Sequence, residues 1–508
     1  MRRHAAILLT AAACLGASAA AAEPSGKALE PLGDLDAAFT AAAAQLARTA
    51  EADGHADLAR LIAGWQLPAA GETQLVVAIP PRLEQPDFVD TPAKETVWND
   101  FVAARRGRAV RLFDHAVAAA RAHDRTATRE ELARPDADAA PLPQRSCEAI
   151  RLLHLALRDD PDHERARAAG GWVRRGEAWL WPEAARRLDK GEEFDPAFGW
   201  MPKAKLARYR GGERQDRGRW VAAADDERHA RDVKHGREFI SDHWEIVSAA
   251  GLANAAALAT RLEEARTVWR QVFGAFAQEP QELERRLAGR GRAALQTPFS
   301  AILCADRGQY VSELERLEPL IAKTNGIYWS PTKTIWFFVD AKADPAEPDP
   351  VTIHHEATHQ LFAEARHEAT KVRQMAGERC GFWAIEAAAC YLETTRLTDY
   401  GWQVGGRDAG RVPAAKERLD DGFFVPLADL SRLGRREFQA DERLPQIYSQ
   451  LGGLADFFMN GAGGRYRESF VEYLVRVYSG TASPDTLERL CRRSFAELDD
   501  AYRRHLQR

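Results

Sequence analysis

Hydrophobic and polar positions follow two different periods along this chain, and the change of period divides it. From residue 30 to about 160, Ala, Leu and Arg dominate and apolar residues recur at helical spacing. LDAAFTAAAAQLARTAEADGHADLARLIAGW reads as two helices broken at Asp53-Gly54. CEAIRLLHLALRDDPDHERARAA (147–169) reads as a helix pair around a DDPDH break, of tetratricopeptide type. Three units in register are not found, so a full solenoid is not supported, and a helical bundle packed on the next region is the plainer reading. RPDADAAPLPQ (134–144) reads as a loop or linker.

Residues 170–235 change character. Trp172, Trp179, Trp181, Trp200 and Trp220 stand among many Gly and Arg residues. The pattern predicts short strands and turns with tryptophans as core anchors in a module poor in aliphatics. From about 236 the pattern is α+β. HWEIVSAAGLANAAALATRLEEARTVWRQVF predicts a short strand and then a long helix, and FSAILCADRGQYVSELERL a strand leading to a helix. TNGIYWSPTKTIWFFVDA predicts two strands separated at Ser330-Pro331. Asp349 is a good N-cap and Pro350 a good first residue for a helix running from Val351 to about Ala365. Residues 382–508 read as mostly helical.

Composition changes this picture little. The chain has 508 residues, 45% of them hydrophobic and 29% charged, the balance of an ordinary globular protein of two to four domains. Its 70 basic and 75 acidic residues are interspersed and give a net charge of -5, so no nucleic-acid partner is expected. The N-terminus matters more. Arg2 and Arg3, an apolar run over 5–17 and A-x-A sites around Ala19 to Ala22 have the form of a cleaved secretory signal. Export to the periplasm or the extracellular space is therefore expected. Ala11 stands where a lipobox prefers Leu, which argues against lipid anchoring at Cys14. No later run reaches the length of a membrane span. Five cysteines remain after Cys14, too few for a disulfide scaffold, though one or two bridges stay open. The expected units are a signal peptide (1–22), a helical region (23–169), a Trp/Gly-rich module (170–235) and an α+β domain (236–508).

The chemistry is concentrated in VTIHHEATHQLF (351–362), which holds His355-Glu356-Ala357-Thr358-His359, an H-E-x-x-H string. On a helix, His355 and His359 share one face, where both imidazoles can reach one Zn2+, with Glu356 beside them as base for a water. By chance the string occurs in about 3 chains in 100 of this length and composition, so its context must carry the reading. That context is a helix that follows a sheet-like region and has apolar neighbours Ile353, Leu361 and Phe362. His354 points about 100° away from His355, so it reads as a supporting or solvent-facing residue. His367 cannot be the third ligand: eight residues of helix carry it about 80° off the face and about 12 Å along the axis. Phe362 and Ala365 also rule out the H-x-x-G-x-x-H extension. The third ligand is expected from GFWAIEAAACYLETT (381–395), where Ala387, Ala388 and Ala389 allow close helix packing. Glu386 is preferred there, with Glu393, seven residues on and nearly on the same face, as the competitor.

These residues carry a resemblance. TIHHEATHQLF resembles the T-x-x-H-E-x-x-H-Q-L helix of gluzincin metallopeptidases, and specifically of the peptidase-MA-like domains of exported bacterial proteins. GFWAIEAAACYLE resembles their P-x-W-x-x-E-G-x-A-x-Y-x-E helix, and IYSQLGGLADFFMNGAGGRYRESFVEYL their C-terminal helix and tail. The resemblance covers roughly 236–508. Ala387 replaces the usual Gly, Gly381-Phe382 stands where Pro is usual, and Cys390 stands where thermolysin-like enzymes place an acidic support for a zinc-bound His. The resemblance implies a zincin-like domain with Zn2+ held by His355, His359 and Glu386, and a water in the open position. It makes Glu356 the general base and Tyr448 the candidate oxyanion stabiliser. It implies that the strand 334–340 pairs with an extended peptide or protein substrate. The expected function is that of an exported zinc metallopeptidase. The alternative is a catalytically weak zincin-fold protein that binds a partner through its N-terminal helices.

Overall fold

The computed structural model describes residues 29–68, 71–121, 145–291, 295–340, 349–365 and 375–508. The expected signal peptide with Cys14, the linker 134–144 and His367 lie outside the described residues. The architecture is mixed α+β. No described helix is long and apolar enough to cross a membrane.

A five-stranded sheet positions the site. Its order is Ile327–Trp329, Thr334–Phe338, Phe299–Cys304, Trp244–Ser248, Arg237–Ile240. The three inner strands are parallel, with Ala301 opposite both Ile335 and Ile246, and the two outer strands are antiparallel to their neighbours. Alternation divides the side chains. Ile335 and Phe337 enter the large core with Trp244, Ile246, Ala301 and Leu303, whereas Trp336 and Phe338 meet Tyr310 and Leu314 on the other face. The helices Leu252–Val272 and Pro350–Glu364 cover the large-core face. The strands and helices predicted between 243 and 365 occur in the expected order, and the helix after Asp349 runs over Pro350–Glu364, whereas the strands Arg237–Ile240, Arg396–Thr398 and Gly401–Val404 were not predicted. Asp349 caps it, accepting from the backbone N–H groups of Val351 and Thr352 at 3.2 Å.

The helix Phe382–Leu392 is buried at every residue. It is packed by Leu444–Gly464 and Arg467–Tyr478, which together continue the same core. Gly381 begins it with φ +73°, and a Cβ there would lie 2.5 Å from the Tyr473 hydroxyl. Both the left-handed backbone and the close approach explain why glycine, not the usual proline, stands at this entry.

Three hairpin–helix units in tandem fill the Trp-rich stretch: Val173–Arg175 with Ala178–Leu180 and Pro182–Asp189, Glu192–Asp195 with Gly199–Pro202 and Lys203–Arg210, and Glu213–Asp216 with Arg219–Ala222 and Ala223–His229. Trp179 and Trp200 are buried anchors, as expected, while Trp172 and Trp181 stack at 4.4 Å. The middle hairpin lies against the outer strand Arg237–Ile240. Gly199 is required there, since a Cβ would meet the Ile240 carbonyl oxygen at 2.5 Å. One edge of the large sheet is thereby covered.

The N-terminal region, read as mostly helical, contains a strand. Gln74–Val77 pairs antiparallel with Gly401–Val404, which pairs in turn with Arg396–Thr398. The two predicted helix pairs are present as Leu32–Ala52 with Ala56–Ala63 and Ser146–Asp159 with Glu164–Gly170. The cysteines Cys147, Cys304, Cys380, Cys390 and Cys491 are all free, so the bridges left open do not form.

His154, buried on the helix Ser146–Asp159, gives a pH test of this packing. Burial holds it down to about 4, although the Ile150 carbonyl lies 2.7 Å from its Nδ1. The unfolded chain protonates this group below about pH 6.5 and the folded chain only below about pH 4, so stability falls as pH drops through that window. The loss should reach about 2 kcal/mol at pH 5. His154→Leu is expected to narrow the difference between urea midpoints at pH 7.5 and pH 5, and an unchanged difference would refute this assignment.

Candidate metal centre

His355 and His359 leave one face of the helix Pro350–Glu364, and Glu386 reaches them from the helix packed against it. Their donor atoms form a triangle. The two Nε2 atoms are 3.1 Å apart, and Glu386 Oε2 lies 3.6 Å from His355 Nε2 and 3.7 Å from His359 Nε2. The circle through these three corners has a radius of about 2.0 Å, the length of a Zn–N or Zn–O bond. Two imidazole nitrogens so close share either a proton or a cation, since two facing lone pairs repel each other.

The local electrostatics supply that demand. Burial disfavours charge on His355, but hydrogen bonds to Glu386 and Glu393 outweigh it and push the group up to about 10. Burial keeps His359 below the ordinary histidine value. Burial would raise Glu386, yet the two imidazoles and the Tyr448 hydroxyl bring it down to about 2. The pocket thus stabilises a cation at its centre, and in a metal-free chain a proton on His355 takes that place.

Two of the three side chains, His355 and Glu386, are held from behind. His355 Nδ1 is 2.8 Å from Glu393 Oε1, and Arg411 clamps Glu393 with two bonds of 2.8 and 3.1 Å. Glu393, weighed as a rival ligand in the sequence, therefore supports the far side of the ring, which fixes Nε2 as the atom facing the centre. It also occupies the role left open by Cys390, a buried thiol whose pKa is raised by burial and by Glu393. His355, Cys390 and Glu393 form a second group of nearby donors, but it shares His355 with the first. Glu393→Ala should weaken zinc binding about 10- to 100-fold by chelator competition, as removing such a support does at other metal centres. Equal affinity in the variant would remove Glu393 from the centre.

Tyr448, from the helix Leu444–Gly464, donates its hydroxyl to Glu386 Oε2 at 2.8 Å. Burial and then the Glu386 carboxylate push its pKa far up, so it remains a donor. Its ring lies under the Arg411 guanidinium, 5.5 Å from centroid to Cζ. One arginine thus touches the supports of two ligands. Gln360 fixes the helix itself: it accepts from Trp244 Nε1 at 3.0 Å and donates to the carbonyls of Ser300 and Lys333 at 3.1 Å.

Glu356 faces the sheet edge. Its Oε2 accepts the backbone N–H of Tyr328 at 2.8 Å, and its charge favours protonation of both imidazoles. The outer edge of Ile327–Trp329 therefore faces the base. This corrects the expectation for 334–340: Thr334–Phe338 is paired on both sides and has no free edge, because Ile327–Trp329 lies outside it. His354 is corrected too. Its ring is buried rather than solvent-facing, its Nδ1 has no partner, and burial lowers it to about 4.

Of the predicted site residues, His355, Glu356, His359, Glu386 and Tyr448 come together. Arg411, Gln360 and the Tyr328 N–H went unnoticed in the sequence. Gln360 had a signal in the H-Q-L end of the string, whereas Arg411 had none. No protein-family model matches the chain, and none of the curated proteins matches it.

Proposed function

We propose that this chain is an exported zinc-dependent hydrolase of gluzincin type that cleaves peptide bonds. The observation that carries the reading is the triangle of His355 Nε2, His359 Nε2 and Glu386 Oε2, with edges that suit one tetrahedral ion. A bound Zn2+ supplies Lewis acidity, lowering the pKa of a water and polarising the scissile carbonyl. The protein's own residues do the rest. Glu356 takes a proton from the attacking water and delivers it to the leaving amine. Glu393 and Arg411 keep His355 in one tautomer. Tyr448 holds Glu386 through its hydroxyl, and the same hydroxyl is the donor this reading assigns to a developing oxyanion. Ile327–Trp329, the end strand of the sheet among the described residues, lies beside the base and offers an extended peptide a strand to pair with.

The test is zinc content of the purified full chain, followed by cleavage of a panel of unstructured proteins by wild type and Glu356→Gln. About one zinc per chain and cleavage only by wild type are expected. Zinc retained with no cleavage by either protein points to the binding-protein alternative. Less than about 0.2 zinc per chain, unaffected by His355→Ala, overturns the metal reading.

A further inference from the structure

Beside the metal centre stands a positive side chain that no described carboxylate neutralises. Arg435 begins the short helix Arg435–Gln439, and its guanidinium lies over Phe382, 5.7 Å from the ring centroid. Phe382 is one turn before Glu386 on the same side of its helix. Phe438 packs on both Phe382, at 5.4 Å, and Tyr448, at 6.3 Å. Arg435, Phe382, Phe438 and Tyr448 therefore form one wall beside the ligand carboxylate.

The adjacent cations are matched: Arg411 meets Glu393 at 2.8 Å and Arg436 meets Glu378 at 3.9 Å. Arg435 has no such partner among the described residues, and its Nη1 rests 3.9 Å from the weak acceptor Met375 Sδ. A half-buried guanidinium next to a site built for a cation is electrostatically unfavourable unless an anion joins them.

We propose that Arg435 recognises a carboxylate of the substrate close to the scissile bond, so that the enzyme selects peptides carrying one there. This rests on the zinc-hydrolase reading. The carboxylate belongs either to the chain terminus or to an Asp or Glu side chain, and guanidinium binds both through the same paired hydrogen bonds.

Quenched peptides of one sequence, with free or amidated C-terminus and with Glu or Gln near the cleavage site, separate the two sources. Zinc-loaded wild type should cleave one carboxylate form about 10- to 100-fold more efficiently in kcat/KM than its neutral twin. Arg435→Gln should abolish the preference by bringing kcat/KM on the carboxylate form down to that on its neutral twin, and Arg435→Lys should restore part of it. A second readout needs no turnover. Succinic monohydroxamate should bind about 10-fold or more tightly than propionohydroxamate by calorimetry, with the difference lost in Arg435→Gln. Cleavage without preference, a preference that survives Arg435→Gln, or equal binding of the two hydroxamates overturns the proposal. If no peptide is cleaved but the hydroxamate difference is present and depends on Arg435, the peptidase reading fails and the carboxylate site stands.

Discussion

Glu356→Gln is expected to keep its zinc and lose about 10²- to 10⁴-fold in peptide hydrolysis. The substitution is clean because the Gln carbonyl oxygen can still accept the Tyr328 N–H that Glu356 Oε2 accepts at 2.8 Å. The helix, the His355–Glu393 contact and the Glu386–Tyr448 contact do not involve the changed atoms. The capacity to take up and return a proton disappears, together with the negative charge beside the two imidazoles. The loss should therefore fall on kcat, with KM little changed. Glu356→Asp, which retracts the carboxylate by one methylene, should recover little, since a base must sit within hydrogen-bonding reach of the water. Wild-type rates in the Gln variant would refute the assignment of Glu356 as base, whatever the metal content.

Glu386→Ala should have the largest effect on the metal. It removes one corner of the triangle, and it leaves the buried Tyr448 hydroxyl without the acceptor that lies 2.8 Å away. Two imidazoles at 3.1 Å then face each other with no ligand carboxylate to offset an ion between them. Zinc per chain is expected to fall below about 0.2 after desalting, since catalytic zinc sites use three protein ligands and structural sites four. Stability gives an independent reading. Free zinc at about 1,000 times its dissociation constant adds about 4 kcal/mol to wild type by mass action. The same zinc should add nothing to Glu386→Ala, so wild type with chelator and the variant with zinc should melt alike apart from the cost of the lost carboxylate. A zinc-dependent rise in melting temperature in Glu386→Ala would place the third ligand elsewhere.

What was legible in the sequence follows from the range of the interactions. His355 and His359 could be paired because helix geometry alone brings residues four apart together. The start of that helix was equally local, written in Asp349-Pro350. Glu386 and Glu393 could not be separated by spacing, because seven residues return to the same face. Their different roles depend on Arg411 and Tyr448, which approach from other helices. Both runs around Ser330-Pro331 were recognisable as strands, but their order in the sheet is a tertiary fact, so the free edge was assigned to the wrong one. The short strands and turns of the Trp-rich stretch were legible, but the helix that closes each of its three units escaped, because these helices are only seven or eight residues long. Gln74–Val77 escaped for the same reason of length.

That small strand also sets a timetable. Its pairing joins residues about 330 positions apart, as does the Gln403–Thr73 bond, and Gln74 Nε2 donates at 2.9 Å to the hydroxyl of Tyr391 on the Glu386 helix. A ribosome adding about 5–20 residues per second needs about 15–65 s to cover that separation. Throughout this time Gln74–Val77 waits without its partner strand, and it meets both Tyr391 and Gly401–Val404 only after the helix bearing Glu386 has been made. A chain cut short before residue 401 therefore carries an N-terminal strand with nothing to pair with, and a chain that starts beyond residue 77 loses the brace on Tyr391.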